Sequence, residues 1–246
     1  MDRALYVGMT GAIQTLSAQT ANSSNLANAS TVGFRAQLVD AESVAVAGQG
    51  LPSRVNARLI DQGWDSSLGG IQQTGRDLDV AMRPGTWLAV QAPDGGESYT
   101  RAGDLKVDAN GQLLTGAGQP VLSDSGPISV PPYSQIHVGD DGTISIVPAG
   151  AQPNAQSTIG RLKVVEATPD QLRRDPSGLM RAAPGITLNP AAGKTVSSGA
   201  LEGSNVNLAG SMVTMIALAR EFDLQTKVMH TADQNASAAS SLVQMQ

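Results

Sequence analysis

Two stretches of this chain, one near each end, carry an apolar stripe at helical spacing. At the start, Leu5, Met9, Ala12, Leu16, Gln19, Ser23 and Leu26 are separated alternately by four and three positions. That is the period of a helix presenting one face to a coiled-coil-like partner. Leu208, Met212, Met215, Ala219, Phe222, Thr226 and Met229 repeat the spacing near the other end, widened by Val213 and Ile216. The pattern predicts a first helix from about Ala4 to Asn28, roughly 37 Å long. It should stop where Asn, Ser, Thr and Gly crowd between Asn28 and Gly33. A second long helix should follow Asn205 or Asn207, either of which can cap it. A helix with one apolar stripe must bury it, and the simplest burial pairs the two helices, leaving the middle of the chain to project. Only Asp2, Arg3 and Arg35 are charged among the first 35 residues. The remaining faces are Ala, Ser, Gln, Asn and Thr, which suit contact with protein on every side.

The middle reads as β-structure. Its Gly and Pro residues (27 and 13 in the chain) cluster between positions 48 and 200, where they punctuate short strands. Trp87–Gln91 is a strand candidate closed by Pro93-Asp94-Gly95-Gly96. Leu105–Asp108 alternates, and Asn110-Gly111 turns the chain into Gln112–Leu114, a strong hairpin signal. Ile136–Val138, Asp141-Gly142 and Thr143–Ile146 repeat it, and Leu162–Val165 adds a further strand. Residues 36–75 read as an extended connector with short strands. The expected fold class is α+β. The N- and C-terminal helices form a coiled-coil-like inner domain (1–35 and 201–246), and 76–200 form a central all-β barrel- or sandwich-like domain.

Composition excludes several functions. A net charge of −5 with 15% charged residues leaves no footprint for nucleic acid, and 3% aromatic residues leave no stacking platform. The absence of Cys removes disulfides and thiolate chemistry. No apolar run reaches membrane-spanning length, and the start lacks the pattern of a cleavable signal peptide, so if the protein leaves the cytoplasm it uses another route. His137 and His230 stand far apart in unlike contexts, and no nucleophile, phosphate-loop or dinucleotide motif is present. Asp108-Ala109-Asn110-Gly111 lacks the downstream Glu of a calcium loop. The Met residues at helical spacing are read as packing. No cofactor, metal, small-molecule substrate or enzymatic activity is expected.

The residues resemble a known family. Asn25-Leu26-Ala27-Asn28-Ala29-Ser30-Thr31-Val32-Gly33-Phe34 is similar to the N-terminal signature of flagellar rod and hook proteins. Gly199-Ala200-Leu201-Glu202-Gly203-Ser204-Asn205-Val206-Asn207 is similar to their C-terminal signature, with Met212–Ile216 and Arg220–Phe222 following it. Thr74–Ala81, Tyr99–Gly103 and Asp108–Leu113 fit the centre, in order along nearly the whole chain. Ser24 and Arg83-Pro84-Gly85-Thr86-Trp87 depart from the family pattern.

The resemblance implies a structural subunit of the basal-body rod, exported by the flagellar type III apparatus to the periplasm. It would polymerise through its terminal helices, facing the rod's central channel, into a helical drive shaft that transmits torque. Its partners would be proximal- and distal-rod subunits, copies of itself and the export apparatus. The expected assembly interface is Leu5, Met9, Ala12, Leu16, Asn25, Leu26, Asn28, Thr31, Gly33 and Phe34, with Leu201, Glu202, Ser204, Asn205, Val206, Asn207, Leu208, Met212, Met215, Ile216, Phe222 and Met229. Asn25, Asn28 and Asn205 read either as turn and cap chemistry or as cross-links at the junction with the connector. Gly33 should supply a conformation other residues dislike, and Phe34 should anchor the helix exit. Low charge and the Gly, Ser and Asn content suggest tails that order on incorporation. A β-domain binding module, exported without a cleaved signal, is the competing function.

Overall fold

The computed structural model describes residues 2–45, 55–152 and 155–244; the remaining positions of the expected 36–75 connector, of the central domain and of the two chain ends lie outside them. Helix α1 spans Asp2–Ala27 and helix α2 spans Leu208–Gln244. α1 ends where the sequence supplies Asn28, Ser30, Thr31 and Gly33, in a run of turns. The start of α2 is capped by Asn207, whose Oδ1 accepts from the Gly210 amide at 2.9 Å. No helix among the described residues is long and apolar enough to cross a membrane.

The chain divides into two compact units. One comprises residues 1–29, 36–63 and 206–246. In it α1 and α2 pack along each other and run antiparallel, because Gly8 lies beside Met229, Gly11 beside Gln225 and Asn22 beside Ser211. Strands β1 (Gln37–Ala45) and β2 (Val55–Trp64) pair with each other, and β1 packs against α1. Segment 36–75 thus contributes strands of nine and ten residues, longer than the short strands expected there, and one short strand, Ile71–Gln73.

The other unit comprises residues 30–35 and 64–205. Its main sheet has six strands in the order Leu172–Arg174, Met180–Ala182, Glu97–Thr100, Thr86–Gln91, Val164–Glu166, Asn189–Pro190, with antiparallel pairings throughout. Tyr133–Val138, Thr143–Pro148 and Ser157–Arg161 form a three-stranded sheet, and Leu105–Val107 pairs with Leu113–Thr115 about the expected Asn110-Gly111 turn. Thr86–Gln91 explains the layering. Its period of two sends Leu88 and Val90 into one cluster with Leu105, Leu113, Val138 and Ile144. Trp87 and Ala89 go into another with Tyr99, Val165, Leu172 and Met180. A strand buried on both faces reads as a continuous apolar run, and each large side chain so buried contributes roughly 1.5–3 kcal/mol. The barrel alternative is corrected: among the described residues no sheet closes. One edge of the main sheet ends at Pro190, which has no amide to offer a further strand.

Candidate assembly surface

The seam between α1 and α2 is built from small residues on one side and large ones on the other. On α1 the buried positions are Gly8, Gly11, Ala12, Thr15, Ala21, Asn22 and Asn25. On α2 the less exposed positions recur as Ser211, Met215, Leu218, Phe222, Gln225, Met229 and Ala232. A Cβ built on Gly8 would meet Met229 Cγ at 2.9 Å, and one on Gly11 would meet the Gln225 amide at 2.9 Å. α1 supplies the holes and α2 the knobs. The polar members of the seam are bonded. Thr15 Oγ1 donates to the Gly11 carbonyl at 3.0 Å, and Asn22 Nδ2 donates to the Ser211 carbonyl at 2.8 Å.

The stripe expected from hydrophobicity is therefore rotated. Ala12 is buried, and Leu5, Gln19 and Leu26 are half-buried, but Met9, Leu16 and Ser23 are exposed. On α2, Met215, Phe222, Thr226 and Met229 are half-buried, whereas Leu208, Met212, Ile216 and Ala219 are exposed. Following the largest apolar side chains misses a seam in which closeness of approach depends on having almost no side chain. Gly8, Gly11 and Thr15 were signalled by small residues at helical spacing, and Asn22 by nothing local. What remains outside is a second apolar row, Tyr6, Met9, Ile13 and Leu16, with Leu16 46% exposed, and on α2 Met212, Val213 and Ile216, with Ile216 56% exposed. The hydroxyls beside it turn inward: Ser17 and Thr20 donate to the carbonyls of Ile13 and Leu16, so this face presents few groups that demand water.

Asn25 is a cross-link and not a cap. Its Nδ2 donates to the Gln37 carbonyl at 2.9 Å, and its Oδ1 accepts from the Gln37 amide at 2.8 Å. The amide side chain thus serves as one residue of a neighbouring strand, fixing the start of β1 on α1. Asn28 Nδ2 donates to the Ser24 carbonyl at 2.9 Å, ordinary end-of-helix chemistry.

In the other unit, Glu202 lies 1% exposed between two arginines. Its Oε1 is 2.5 Å from Arg35 Nη2, and its Oε2 is 2.7 Å from Arg101 Nε. Arg101 also donates to the carbonyls of Met82, Arg83 and Thr86 and lies 5.7 Å from the Trp87 ring. Burial pushes the Arg101 guanidinium below its ordinary value, against the pull of Glu202. The Glu202 carbonyl accepts from the Gly33 amide at 2.7 Å. Gly33 has φ +67°, and a Cβ there would strike the Arg101 backbone. Phe34, half-buried, is covered by the Arg174 guanidinium at 4.8 Å, and Arg174 Nη2 donates to the Arg35 carbonyl at 2.6 Å. Asn205 Nδ2 donates to the carbonyls of Asp65 and Ser67 at 3.0 Å. Thr31 and Asn207 are exposed, and Leu201, Ser204 and Val206 half-buried. Sequence reading gave no special role to Arg35 or Arg101, whose partner lies far along the chain.

Among the described residues no three His, Asp or Glu side chains gather as a metal site requires. His137 is an exposed residue of the strand Tyr133–Val138, with Nδ1 3.3 Å from Asp77 Oδ1. What the structure organises is packing, hydrogen bonding and an uncovered apolar helical face, the equipment of a structural protein. Comparison with known proteins gives the same class. Residues 5–35 match the family model for flagella basal body rod proteins, 83–146 that for the flagellar hook protein FlgE/F/G D1 domain, and 197–242 that for the flagellar basal body rod FlgEFG protein C-terminal region.

The chain is 45% identical to the flagellar basal-body rod protein FlgF of Escherichia coli (strain K12) and 43% identical to FlgF of Salmonella typhimurium, in each case over 100% of both chains. It is 32% identical to FlgG of Bacillus subtilis (strain 168) over 95% of this chain and 96% of that one. The chain belongs to the flagellar basal-body rod protein family, and within it is FlgF-like, with FlgG the close competitor. Its relatives are structural proteins of the basal-body rod, and it is not an enzyme.

Proposed function

We propose that the chain polymerises through its paired terminal helices into the helical rod, contacting copies of itself and the neighbouring proximal- and distal-rod proteins, and that the array transmits motor torque. Export through the flagellar type III apparatus to the periplasm completes this reading. The observation that carries it is the exposed row of Tyr6, Met9, Ile13 and Leu16 on α1, with Met212, Val213 and Ile216 on α2. Such an exposed apolar row loses free energy in water and gains it against another helix. A helical array needs two different surfaces on each subunit, one offered and one accepted, and α1 and α2 each present an exposed apolar set for such contacts.

In this reading the exposed members of the expected interface, Met9, Leu16, Leu208, Met212 and Ile216, touch neighbours. Ala12, Asn25, Phe222 and Met229 shape the pair, and Gly33 and Glu202 hold the chain within its own unit. The chain has no Cys, so Leu16→Cys and Val213→Cys supply clean crosslinking probes. Oxidation of basal bodies carrying both should yield crosslinks between subunits. If they appear only within one chain, or not at all, these faces do not meet neighbours.

A further inference from the structure

The ion cluster around Glu202 is one acid short. Arg35 and Arg101, each 2% exposed, share the single carboxylate of Glu202, and among the described ion pairs no second acid meets either arginine. The shortfall falls on Arg35. Its Nη2 is taken by Glu202, while Nε and Nη1, both shielded from solvent, have no hydrogen-bond partner among the described residues. A buried guanidinium with two idle donors is costly unless something accepts from them. Beside it is a cavity of about 170 Å³ whose wall includes Arg35 and Arg101 together with Trp64, Trp87, Leu68 and Ala167. The indoles meet edge to face at 5.2 Å between ring centres. The wall is cationic at the two arginines, polar at Ser66 and otherwise apolar.

We propose that this cavity is a binding site for a carboxylate with a short apolar stem, the charged end seated against Arg35 and the stem against Trp64, Trp87, Leu68 and Ala167. Guanidinium donors match a planar carboxylate two bonds at a time, and the added negative charge balances the cluster. The carboxylate can come from a free short-chain acid or from an acidic side chain of a partner protein.

Trp64 and Trp87 are the chain's two tryptophans, so selectively excited tryptophan emission reports on this cavity. Titration of the full chain with sodium butyrate should give a saturable change in tryptophan emission, half-complete on the order of 10 mM. Sodium chloride at equal ionic strength and butyramide should give none. Affinity should rise roughly fourfold per methylene from acetate to butyrate. Ala167→Leu, which fills the cavity without touching the ion pairs, should abolish saturation, and Arg35→Lys should weaken it about tenfold. Should Arg35→Lys fail to fold, Ala167→Leu decides alone. A parallel titration with N-acetylglutamic acid α-amide separates the sources. Saturation by both probes means that a side chain flanked by peptide groups can enter, and saturation by butyrate alone assigns the site to a free acid. Equal responses to butyrate, chloride and butyramide, or a response untouched by Ala167→Leu, would show that the cavity holds only solvent and overturn the proposal.

Discussion

Glu202 Oε1 lies 2.5 Å from Arg35 Nη2, joining residues 167 positions apart. The pair brings together the strand Ala200–Glu202 and the segment Gly33–Arg35, reinforced by the bond from the Gly33 amide to the Glu202 carbonyl. In sequence these are the stretches that lead into α2 and out of α1, and the Arg101 guanidinium fastens the same carboxylate to the sheet.

Removing the carboxylate leaves two buried guanidinium groups uncompensated, and the cost of breaking a buried pair is about 3–5 kcal/mol. Glu202→Ala should lower the unfolding free energy in urea by roughly that amount. Glu202→Gln, which keeps the shape and loses the charge, should recover only part of it. A variant within about 0.5 kcal/mol of the parent would show that the cluster does not hold this unit together.

Two glycines should answer substitution differently. At Gly8 the obstacle to a methyl group is the flexible end of Met229, and replacing Gly by Ala within a helix gains up to about 1 kcal/mol. Gly8→Ala should therefore be near neutral in thermal unfolding, whereas Gly8→Leu should separate the helices. At Gly33 the obstacle is the Arg101 backbone and φ is +67°. A left-handed conformation alone costs a non-Gly residue about 1–2 kcal/mol, so Gly33→Ala should be the more damaging change by at least about 2 kcal/mol. Reversal of that order would contradict both contacts.

Asn25 makes paired bonds to the Gln37 backbone, and an aspartate at that position can accept but cannot donate. Asn25→Asp should leave the Gln37 carbonyl facing a carboxylate and cost about 1–3 kcal/mol. In Asn25→Leu, which removes donor and acceptor alike, hydrogen exchange at the Gln37 amide should rise by about one to two orders of magnitude. Unchanged protection would mean that β1 is held elsewhere.

The extent of the fold legible in the sequence follows from the range of the signal. The four-three spacing of Leu208, Met212, Met215 and Phe222 is local, and so is the Asn110-Gly111 turn, so both helices and that hairpin could be read directly. The face of α1 that meets α2 could not. Hydrophobicity points to Met9 and Leu16, but the seam runs through Gly8, Gly11 and Thr15, where the relevant property is how little side chain there is. Glu202 meets Arg101 across 101 positions and Arg35 across 167, and no period or motif links such residues before the sheets form. Trp87–Gln91 was legible as a strand, but its two covered faces depend on neighbours contributed from both sides.

Acid should weaken the β-rich unit in a defined direction. The Arg181 hydrogen bond holds the Asp94 carboxyl below its ordinary value of 3.8, and bonds from Thr143 do the same for Asp141. A carboxyl whose folded value is depressed contributes stability that is fully present above its unfolded value and is lost as pH falls through the folded one. Unfolding free energy should be level near neutrality and decline below about pH 4. Arg181→Ala should shallow that decline, and an identical slope would remove Asp94 from the account.

The exposed helical row separates assembly from stability. Leu16 and Ile216 are 46% and 56% exposed, so in the isolated chain Leu16→Glu and Ile216→Glu remove little packing and should change unfolding free energy by no more than about 0.5 kcal/mol. In the rod, each would place a charge against an apolar neighbour without a partner, which costs several kcal/mol or excludes the subunit. Cells carrying either variant should lose motility and incorporate little of the protein into basal bodies, while the purified chain keeps its unfolding midpoint. Ala12→Glu, inside the seam where Ala12 is 6% exposed, should instead disrupt pairing of the two helices and lower the helix content of the isolated chain further. The seam is lined on α1 by Gly, Ala, Thr and Asn, whose small apolar area offsets little of the roughly 1–2 kcal/mol per residue needed to order a backbone. Circular dichroism of the dilute parent chain should accordingly show less helix than α1 and α2 together contain, with the balance appearing on assembly. Full helicity in the monomer, together with normal motility of Leu16→Glu and Ile216→Glu, would detach the apolar row from assembly altogether.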